Sequence, residues 1–474
     1  MKGFGEKHKN PKKKKGNSDE QAIKDQIISR AFKQHSQGNF QEAKKHYENF
    51  INKGFLDHRV FSNYGMILLN LGEFKKAEIF TRKAIELNPN YAMAYSNLGG
   101  ILKDLGKLQE AELSQRKAIE LKPKFAEANE ALGLVLLEKN EYDLSLEYFS
   151  ESAKLLNDQT EKKSNNQRFQ IISKAKIEHD IEQFEYLASK NYDIKKFTDL
   201  ALLYKKVASE INWPSDTSLV TLNNKYQSLL KDSYNRLIHI VKAPKLKEEV
   251  INNSLNIEQI TNDYFNHEFG LTYIDNFLSS KAIESLRDFL LESTIWFNVK
   301  QNGYLGAFLR EGFANPLIIQ IADELRRKFP KIFKNYPINH IWAFKYDSRA
   351  KHKKSSLRGI NVHADFAAIN VNFWITPKKA NLNPKSGGLI VYDVEAPKEW
   401  NFNTFNNDEQ RIREELKKSK GNTKVIPYNE NRAVIFNSNL FHETDSYEFK
   451  EGYKNRRINV TILFGRREGS RKGI

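Results

Sequence analysis

The first third of the chain carries a pattern of small, apolar and turn-forming residues that recurs every 34 positions. Each repeat holds two segments with the apolar spacing of an amphipathic helix, separated by a glycine or an asparagine. The pattern predicts paired helices that approach closely at the small residues, with prolines between one repeat and the next. The matching columns are Ala43, Ala77, Ala111 and Ser145; Gly38, Gly72, Gly106 and Asn140; Gly65, Gly99 and Gly133; Phe40, Phe74, Leu108 and Tyr142; and Pro89 and Pro123.

One unit, from Ala92 to Phe125, carries the residues that are typical of a tetratricopeptide repeat: Tyr95, Leu98, Gly99, Ala111, Ala118 and Pro123. On these residues, 24–157 resembles the tetratricopeptide-repeat family in four units, of which the first and last are degenerate. The resemblance implies an α-solenoid, because one repeat alone cannot bury its apolar face, and its concave groove would commonly bind a protein or peptide. A structural spacer or a dimerisation element is the alternative role.

Between 158 and 269 the pattern stays helical but loses the period, which predicts a helical linker region. The segment Lys174–Leu187 forms one apolar stripe that predicts packing on a core, and Asn212–Thr217 predicts a turn. His179 and Asp180 are adjacent, and neighbouring residues of a helix point in different directions, so this pair is a poor joint metal site. The stripe consists of Ile177, Ile181, Phe184 and Leu187.

After Gly270 the sequence predicts a short strand, a turn capped by Ser279 or Ser280, and an amphipathic helix. Strand patterns then dominate, separated by Gly, Pro and Asn turns, and several alternate polar with apolar residues. Short strands of this kind predict a small barrel or jelly roll. The segments are His340–Tyr346, Asn361–Thr376, Gly388–Val394, Arg432–Phe436 and Arg457–Phe464.

Three residues in this region are candidate metal ligands. His363 and Asp365 are separated by one residue, so on a strand both side chains point to the same face. His442 follows the apolar segment RAVIFNSNLF and is predicted to lie on a turn. Two histidines and one carboxylate on one face of an octahedron leave three positions open, which is how non-haem Fe(II) oxygenases hold a co-substrate and oxygen.

A cation for an anionic co-substrate is predicted at the last strand. Arg457 begins that strand and shares a face with Asn459 and Thr461, while the residues between them are apolar. An arginine beside a hydroxyl suits the distal carboxylate of a co-substrate. Arg456 is the competing candidate, but by parity it belongs to the apolar side or precedes the strand.

With these features in place, residues 270–465 resemble the Fe(II)- and 2-oxoglutarate-dependent oxygenase family. The resemblance rests on YIDNFLS followed by a helix, the HxD pair, SGGLIVYDV, RAVIFNSNLFHETD and RRINVTILFG. It implies a double-stranded β-helix (jelly roll) with flanking helices. The whole chain is then a multidomain α + β protein, similar to bacterial proteins that fuse tetratricopeptide repeats to an oxygenase of this type. The insertion Asn401–Thr423, which is polar and predicted to be helical, departs from the family pattern. It is interpreted as either a lid or a long surface loop.

The resemblance also implies an activity: Fe(II) on His363, Asp365 and His442, with 2-oxoglutarate and O2, would decarboxylate the co-substrate to succinate and CO2 and hydroxylate a substrate. Arg457 and Thr461 would meet the C5 carboxylate. Tyr346 and Asn372 are further candidate contacts, with barrel packing as their alternative, and Asn459 shares the polar face. Trp342, Phe344 and Trp374 are expected to form walls.

Composition and charge narrow the function classes. The chain has 474 residues and a net charge of +17, but seven of its lysines lie in residues 1–16 and four basic residues follow Gly465. Residues 1–23 are therefore predicted to be a disordered Lys-rich tail and 466–474 a basic tail. Because the clustering is terminal and lysine outnumbers arginine, a nucleic-acid substrate is disfavoured.

The absence of cysteine excludes disulfides, thiolate metal sites and cysteine nucleophiles. No apolar stretch is long enough for a membrane span and no signal peptide is visible, so a cytoplasmic protein is expected. Three functions remain: an oxygenase that selects a protein or peptide through its repeats, the same chemistry on a metabolite with repeats used for assembly, and a non-catalytic scaffold. Homo-oligomers are possible because solenoids pair through end helices.

Overall fold

The computed structural model describes residues 16–158, 167–300, 302–333, 336–348 and 359–467. Contacts along the chain divide it into two compact units, one ending at Lys107 and one beginning at Leu108. None of the helices among the described residues is long and apolar enough to cross a membrane.

The described residues of the first unit form five helices in the predicted repeat. They are α1 (Gly16–Ser36), α2 (Phe40–Asn52), α3 (His58–Asn70), α4 (Phe74–Leu87) and α5 (Ala92–Asp104). The turns within helix pairs hold Gly38 and Gly72 at φ of +77° and +79°, the left-handed conformation that glycine adopts at low cost. Helix α1 begins at Gly16, so residues 16–23, which the sequence pattern assigns to the disordered tail, are helical. The lysines of the predicted tail, in residues 1–15, lie outside the described residues.

The small residues of the repeat columns lie where helices touch. Ala43 and Ala77 are fully buried in this unit, within a core that contains Tyr47, Phe50 and Tyr64. A Cβ atom at Gly65 would collide with the Thr81 hydroxyl and lie 3.2 Å from the carbonyl oxygen of Ala77. Glycine at this column therefore sets the distance between α3 and α4.

The second unit begins with three more helices of the repeat: α6 (Leu108–Leu121), α7 (Ala126–Glu138) and α8 (Tyr142–Asn157). Asn140 takes the place of the turn glycine at φ of +62°. Leu137 and Phe149 of this last repeat are buried in the same core as the C-terminal strands. The last repeat is thus packed as part of the domain that follows it.

The region after the repeats is helical, as predicted. It contains α9 (Lys174–Ser189), α10 (Ile194–Glu210), α11 (Asn224–Leu230), α12 (Ile257–Asn266) and a two-stranded ribbon of β1 (Ile171–Ile172) with β2 (Val220–Thr221). On the stripe of α9, Ile177, Phe184 and Leu187 are buried and Ile181 is half-buried. His179 and Asp180 pair with each other, with Nδ1 and Oδ1 3.0 Å apart, and Lys176 binds Asp180.

The C-terminal region is rich in antiparallel strands. Its strands are β3 (Leu271–Ile274), β4 (Asn298–Val299), β5 (Leu305–Phe308), β6 (Ile338–Lys345), β7 (Ile369–Trp374), β8 (Leu389–Glu395), β9 (Thr423–Ile426), β10 (Ala433–Asn437), β11 (Leu440–Thr444) and β12 (Ile458–Phe464). Seven pair in the order β3-β10-β7-β12-β6-β5-β4, and three in the order β11-β8-β9.

Helices cover one face of the seven-stranded sheet. They include α13 (Ser280–Glu292), α14 (Pro316–Lys328) and α15 (Pro330–Phe333). Ser279 caps α13 by accepting a hydrogen bond from the amide of Ala282. The apolar face of β12, with Ile458, Val460 and Ile462, joins these helices in the main core, and the polar face of the same strand is left for the site.

Two predicted elements differ from the structure. The segment 361–376 is not one strand, because the chain bends at 366–368 and only Ile369–Trp374 form β7. His363 instead pairs in a single bridge with His442. His442 lies within β11 and not on a turn, since the turn after β10 comes earlier, between Asn437 and Leu440. The insertion forms two helices, α16 (Phe402–Asn407) and α17 (Glu409–Ser419), in agreement with its helical pattern.

Candidate metal centre

Three potential metal ligands meet at the bridge between His363 and β11. Nitrogen and oxygen atoms of His363, Asp365 and His442 all lie within 4.8 Å of one another. Nε2 of His442 is 3.4 Å from one oxygen of Asp365, and Nε2 of His363 is 3.8 Å from the other. Although the HxD pair does not lie on a regular strand, the side chains of His363 and Asp365 both line the same pocket.

Both histidine rings are oriented by backbone carbonyls. Nδ1 of His363 lies 2.8 Å from the oxygen of Asn361, and Nδ1 of His442 lies 3.0 Å from the oxygen of Leu440. Each Nδ1 therefore carries the proton and donates it to a carbonyl, which leaves Nε2 as the free ligand atom. This is the tautomer that binds a metal ion through Nε2.

The environment favours the ligand protonation states. Burial lowers the pKa of His363 to about 4, and the neighbouring His442 acts in the same direction. Burial works to raise the pKa of Asp365, but His442, His363 and the amide of Asn370 stabilise the carboxylate and lower its pKa overall. A neutral imidazole beside a carboxylate at neutral pH is a suitable donor set for a divalent cation.

The three residues line a pocket of about 400 Å³, a volume that includes its opening to solvent. Arg457, Asn459, Thr461, Asn372 and Tyr346, all predicted site residues, line the same pocket. Trp342, Phe344 and Trp374 form its aromatic walls, together with Ile360 and Leu389. The structure therefore brings every candidate residue into one cavity.

Arg457 presents a buried positive charge to this cavity. Its guanidinium donates to the carbonyl oxygens of Gly387 and Gly388, at 2.7 and 3.1 Å, and lies 4.5 Å from the ring centre of Tyr346. Only 2% of the residue is exposed, and none of the carboxylates among the described residues forms an ion pair with it. A buried cation of this kind suits an anionic ligand.

Arg456 points elsewhere. Its guanidinium forms ion pairs with Glu182 at 2.6 Å and with Asp347 at 3.3 Å. Arg456 does not line the pocket, whereas Arg457 does.

A chain of hydrogen-bonded polar side chains runs from Asp365 toward Arg457. Asn370 donates to Asp365, and Asn372 donates to Asn370 at 2.9 Å. The amide oxygen of Asn372 in turn accepts from Thr461 at 2.8 Å and from Asn459 at 3.0 Å. Neighbouring strands β7 and β12 thus present one connected polar surface.

Sequence reasoning missed several residues of the site. Asn370 shares the face of Asn372 by the strand period of two, so the same argument could have identified it. Asn361, whose carbonyl orients His363, and Glu443, which follows His442 and lines the pocket, carry no signal in the sequence that marks these roles.

Comparison with known proteins concerns the repeats. Models of the tetratricopeptide repeat match residues 58–91, 80–112 and 97–159, which confirms the prediction from the 34-residue pattern. No curated protein matches the chain. Similar solved structures include YrrB, described as having an unusual peptide-binding site (24% identity, TM-score 0.26, 28% of this chain and 69% of that chain). Another is MamA (22% identity, TM-score 0.25, 38% of this chain and 92% of that chain). A third is TTC0263 of Thermus thermophilus (17% identity, TM-score 0.26, 28% of this chain and 74% of that chain). On the family models, residues 58–159 are tetratricopeptide repeats.

Proposed function

We propose that the chain is an Fe(II)- and 2-oxoglutarate-dependent dioxygenase. One observation carries this proposal: the three ligands share a cavity with a buried arginine that has no carboxylate partner among the described residues. Two histidines and one carboxylate fit Fe(II), and the arginine fits the distal carboxylate of 2-oxoglutarate. In this proposal the two antiparallel sheets form the double-stranded β-helix of that family.

The protein residues have defined tasks in this proposal. His363, Asp365 and His442 would hold the metal through Nε2 and carboxylate oxygens, and Arg457 with Thr461 would hold the co-substrate. Asn372 and Asn459 orient Thr461, while Tyr346 packs on the guanidinium. When bound, iron and 2-oxoglutarate would supply the activation of O2, with succinate and CO2 as co-products of substrate hydroxylation. The aromatic walls would limit the access of water.

The repeats would bring a protein or peptide to this site. This part of the proposal rests on the repeat architecture, because stacked repeats commonly form binding grooves. Oxidation of a small metabolite, with repeats used for assembly, is the competing function.

Conversion of 2-oxoglutarate to succinate tests the activity. Purified protein with Fe(II), 2-oxoglutarate and O2 should produce succinate and CO2, and His363→Ala should abolish this production. His46→Ala, in the repeat helix α2, is the matched control and should retain it. Succinate formation that persists in His363→Ala would refute the proposed site.

Incubation with cell extract, followed by mass spectrometry, separates the two substrate classes. Peptides that gain one oxygen atom would support recognition through the repeats. Gain of oxygen only in metabolites would refute it.

A further inference from the structure

The insertion between β8 and β9 packs directly behind the metal ligands. Phe405 of α16 and Ile412 of α17 are buried in one apolar cluster with Val362 and Ala364, which flank His363, and with Phe441, which precedes His442. This packing differs from both sequence expectations, a lid and a surface loop. Helices buried against the ligand segments are able to determine where those segments lie.

Helix α16 supplies hydrogen bonds that a neighbouring strand would otherwise supply. The amide of Ala364, between the two ligands, donates to the carbonyl oxygen of Phe405 at 2.8 Å. The side-chain amide of Asn406 donates to the carbonyl oxygen of Ala364 at 3.0 Å. In an extended segment, backbone groups of successive residues point to opposite sides. His363 therefore pairs with His442 on one side while Ala364 is held by α16 on the other.

Arg413 of α17 connects the two histidine segments. Its guanidinium binds both oxygens of Glu443, at 2.6 and 2.9 Å, immediately after His442. It also binds Oε1 of Glu409 at 3.2 Å, and Oε2 of Glu409 accepts a hydrogen bond from the side chain of Asn361 at 2.7 Å.

Asn361 is the residue whose carbonyl oxygen accepts from Nδ1 of His363. Arg413 thus acts on both histidine segments. Through Glu409 it restrains Asn361, the hydrogen-bond partner of His363, and it binds Glu443, the neighbour of His442, directly. Bidentate arginine–carboxylate pairs restrict geometry more strongly than single contacts do.

We propose that Arg413 and Asn406 are positioning residues that preorganise His363 and His442 for metal binding, an inference that rests on the proposed metal site. Neither side chain is a ligand. Each acts on the backbone or on a carboxylate next to a ligand, so that the two Nε2 atoms are held together before the metal arrives. Outer groups of this kind typically change metal affinity by about 10- to 100-fold.

Titration of the full-length protein with Co(II), followed by visible absorption and by competition with a chelator, tests this role. Arg413→Gln should weaken Co(II) binding by about 10-fold or more and alter the shape of the visible spectrum. Arg413→Lys, which keeps the charge but not the fork, should restore part of the affinity. Lys417→Gln removes the same charge from an exposed position of α17 and should bind Co(II) as the wild type does.

Thermal unfolding of the metal-free variants separates positioning from simple stability. A merely structural arginine would lower the unfolding midpoint but leave the Co(II) affinity and spectrum of the folded protein unchanged, and this result would overturn the inference. If Arg413→Gln does not fold, Asn406→Ala provides the same test through the Ala364 contact. Co(II) binding that persists at wild-type affinity in His363→Ala would instead refute the metal site itself. The failure of the positioning role and the failure of the metal site are therefore distinguishable.

Discussion

At the scale of single residues, the decisive feature is the difference between Arg456 and Arg457. Both are almost fully buried, yet Arg456 binds two carboxylates while Arg457 binds carbonyl oxygens and faces the cavity. A buried guanidinium held only by neutral groups gains more from a ligand carboxylate than an ion-paired one does. Arg457 is accordingly the residue of this pair that we expect to bind 2-oxoglutarate.

Arg457→Gln should weaken 2-oxoglutarate binding and leave Fe(II) binding unchanged. A hydrogen bond to a charged group contributes about 1.5–3 kcal/mol, which corresponds to a loss of about 10-fold or more in affinity. Anaerobic titration with 2-oxoglutarate measures the effect. Arg411→Gln, on the exposed side of α17, is the control and should not change the affinity. Equal affinities in the two variants would contradict the assignment.

At the scale of elements, glycine recurs at two columns of the repeat for two different physical reasons. Gly38, Gly72 and Gly106 are required by the positive φ of the turn, and a Cβ atom at the first two would meet no neighbour. Gly65 and Gly133 are required by contact, since a Cβ atom would meet Thr81 or the ring of Phe149. One periodic signal therefore reports both backbone conformation and helix packing.

Gly65→Ala and Gly100→Ala should have opposite effects on stability. The added methyl group at Gly65 would overlap the Thr81 hydroxyl and cost about 1–3 kcal/mol. At Gly100, in α5, nothing lies within 4 Å, and alanine should stabilise the helix by up to about 1 kcal/mol. Denaturant unfolding followed by circular dichroism compares the two. A neutral Gly65→Ala would show that α3 and α4 can separate without cost.

The elements also show what the sequence could predict. The repeat was predictable because its period is local and recurs in four units, and the polar face of β12 was predictable from parity. The conformation of 361–368 was not, because the bend before β7 and the contacts with Phe405 and Ser438 depend on segments distant in sequence. The role of the insertion was not predictable for the same reason, since its buried face consists of only Phe405 and Ile412.

At the scale of the whole molecule, the fourth repeat belongs to the C-terminal core. Phe149 of α8 is 1% exposed and lies in the same cluster as Phe373 of β7 and Val460 of β12. Phe50 of α2 is fully buried as well, but in the core of the first unit. The two phenylalanines therefore stabilise different bodies.

Phe149→Ala and Phe50→Ala should differ in their effect on the proposed metal site. Each truncation should cost about 3–5 kcal/mol in its own core. Phe149→Ala should lower the unfolding midpoint at which Co(II) binding is lost, whereas Phe50→Ala should leave that midpoint unchanged and destabilise only helices of the first unit. Circular dichroism together with Co(II) absorption distinguishes them. The same loss of Co(II) binding in both variants would contradict the division into two cores.

The visible spectrum of the protein with Fe(II) and 2-oxoglutarate in the absence of oxygen tests the proposed metal centre directly. Chelation of Fe(II) by the keto acid at the three-residue site should produce a weak metal-to-ligand charge-transfer band, and His363→Ala should lose it while His46→Ala keeps it. A wild-type protein without this band, or a band that survives in His363→Ala, would contradict the proposed metal centre.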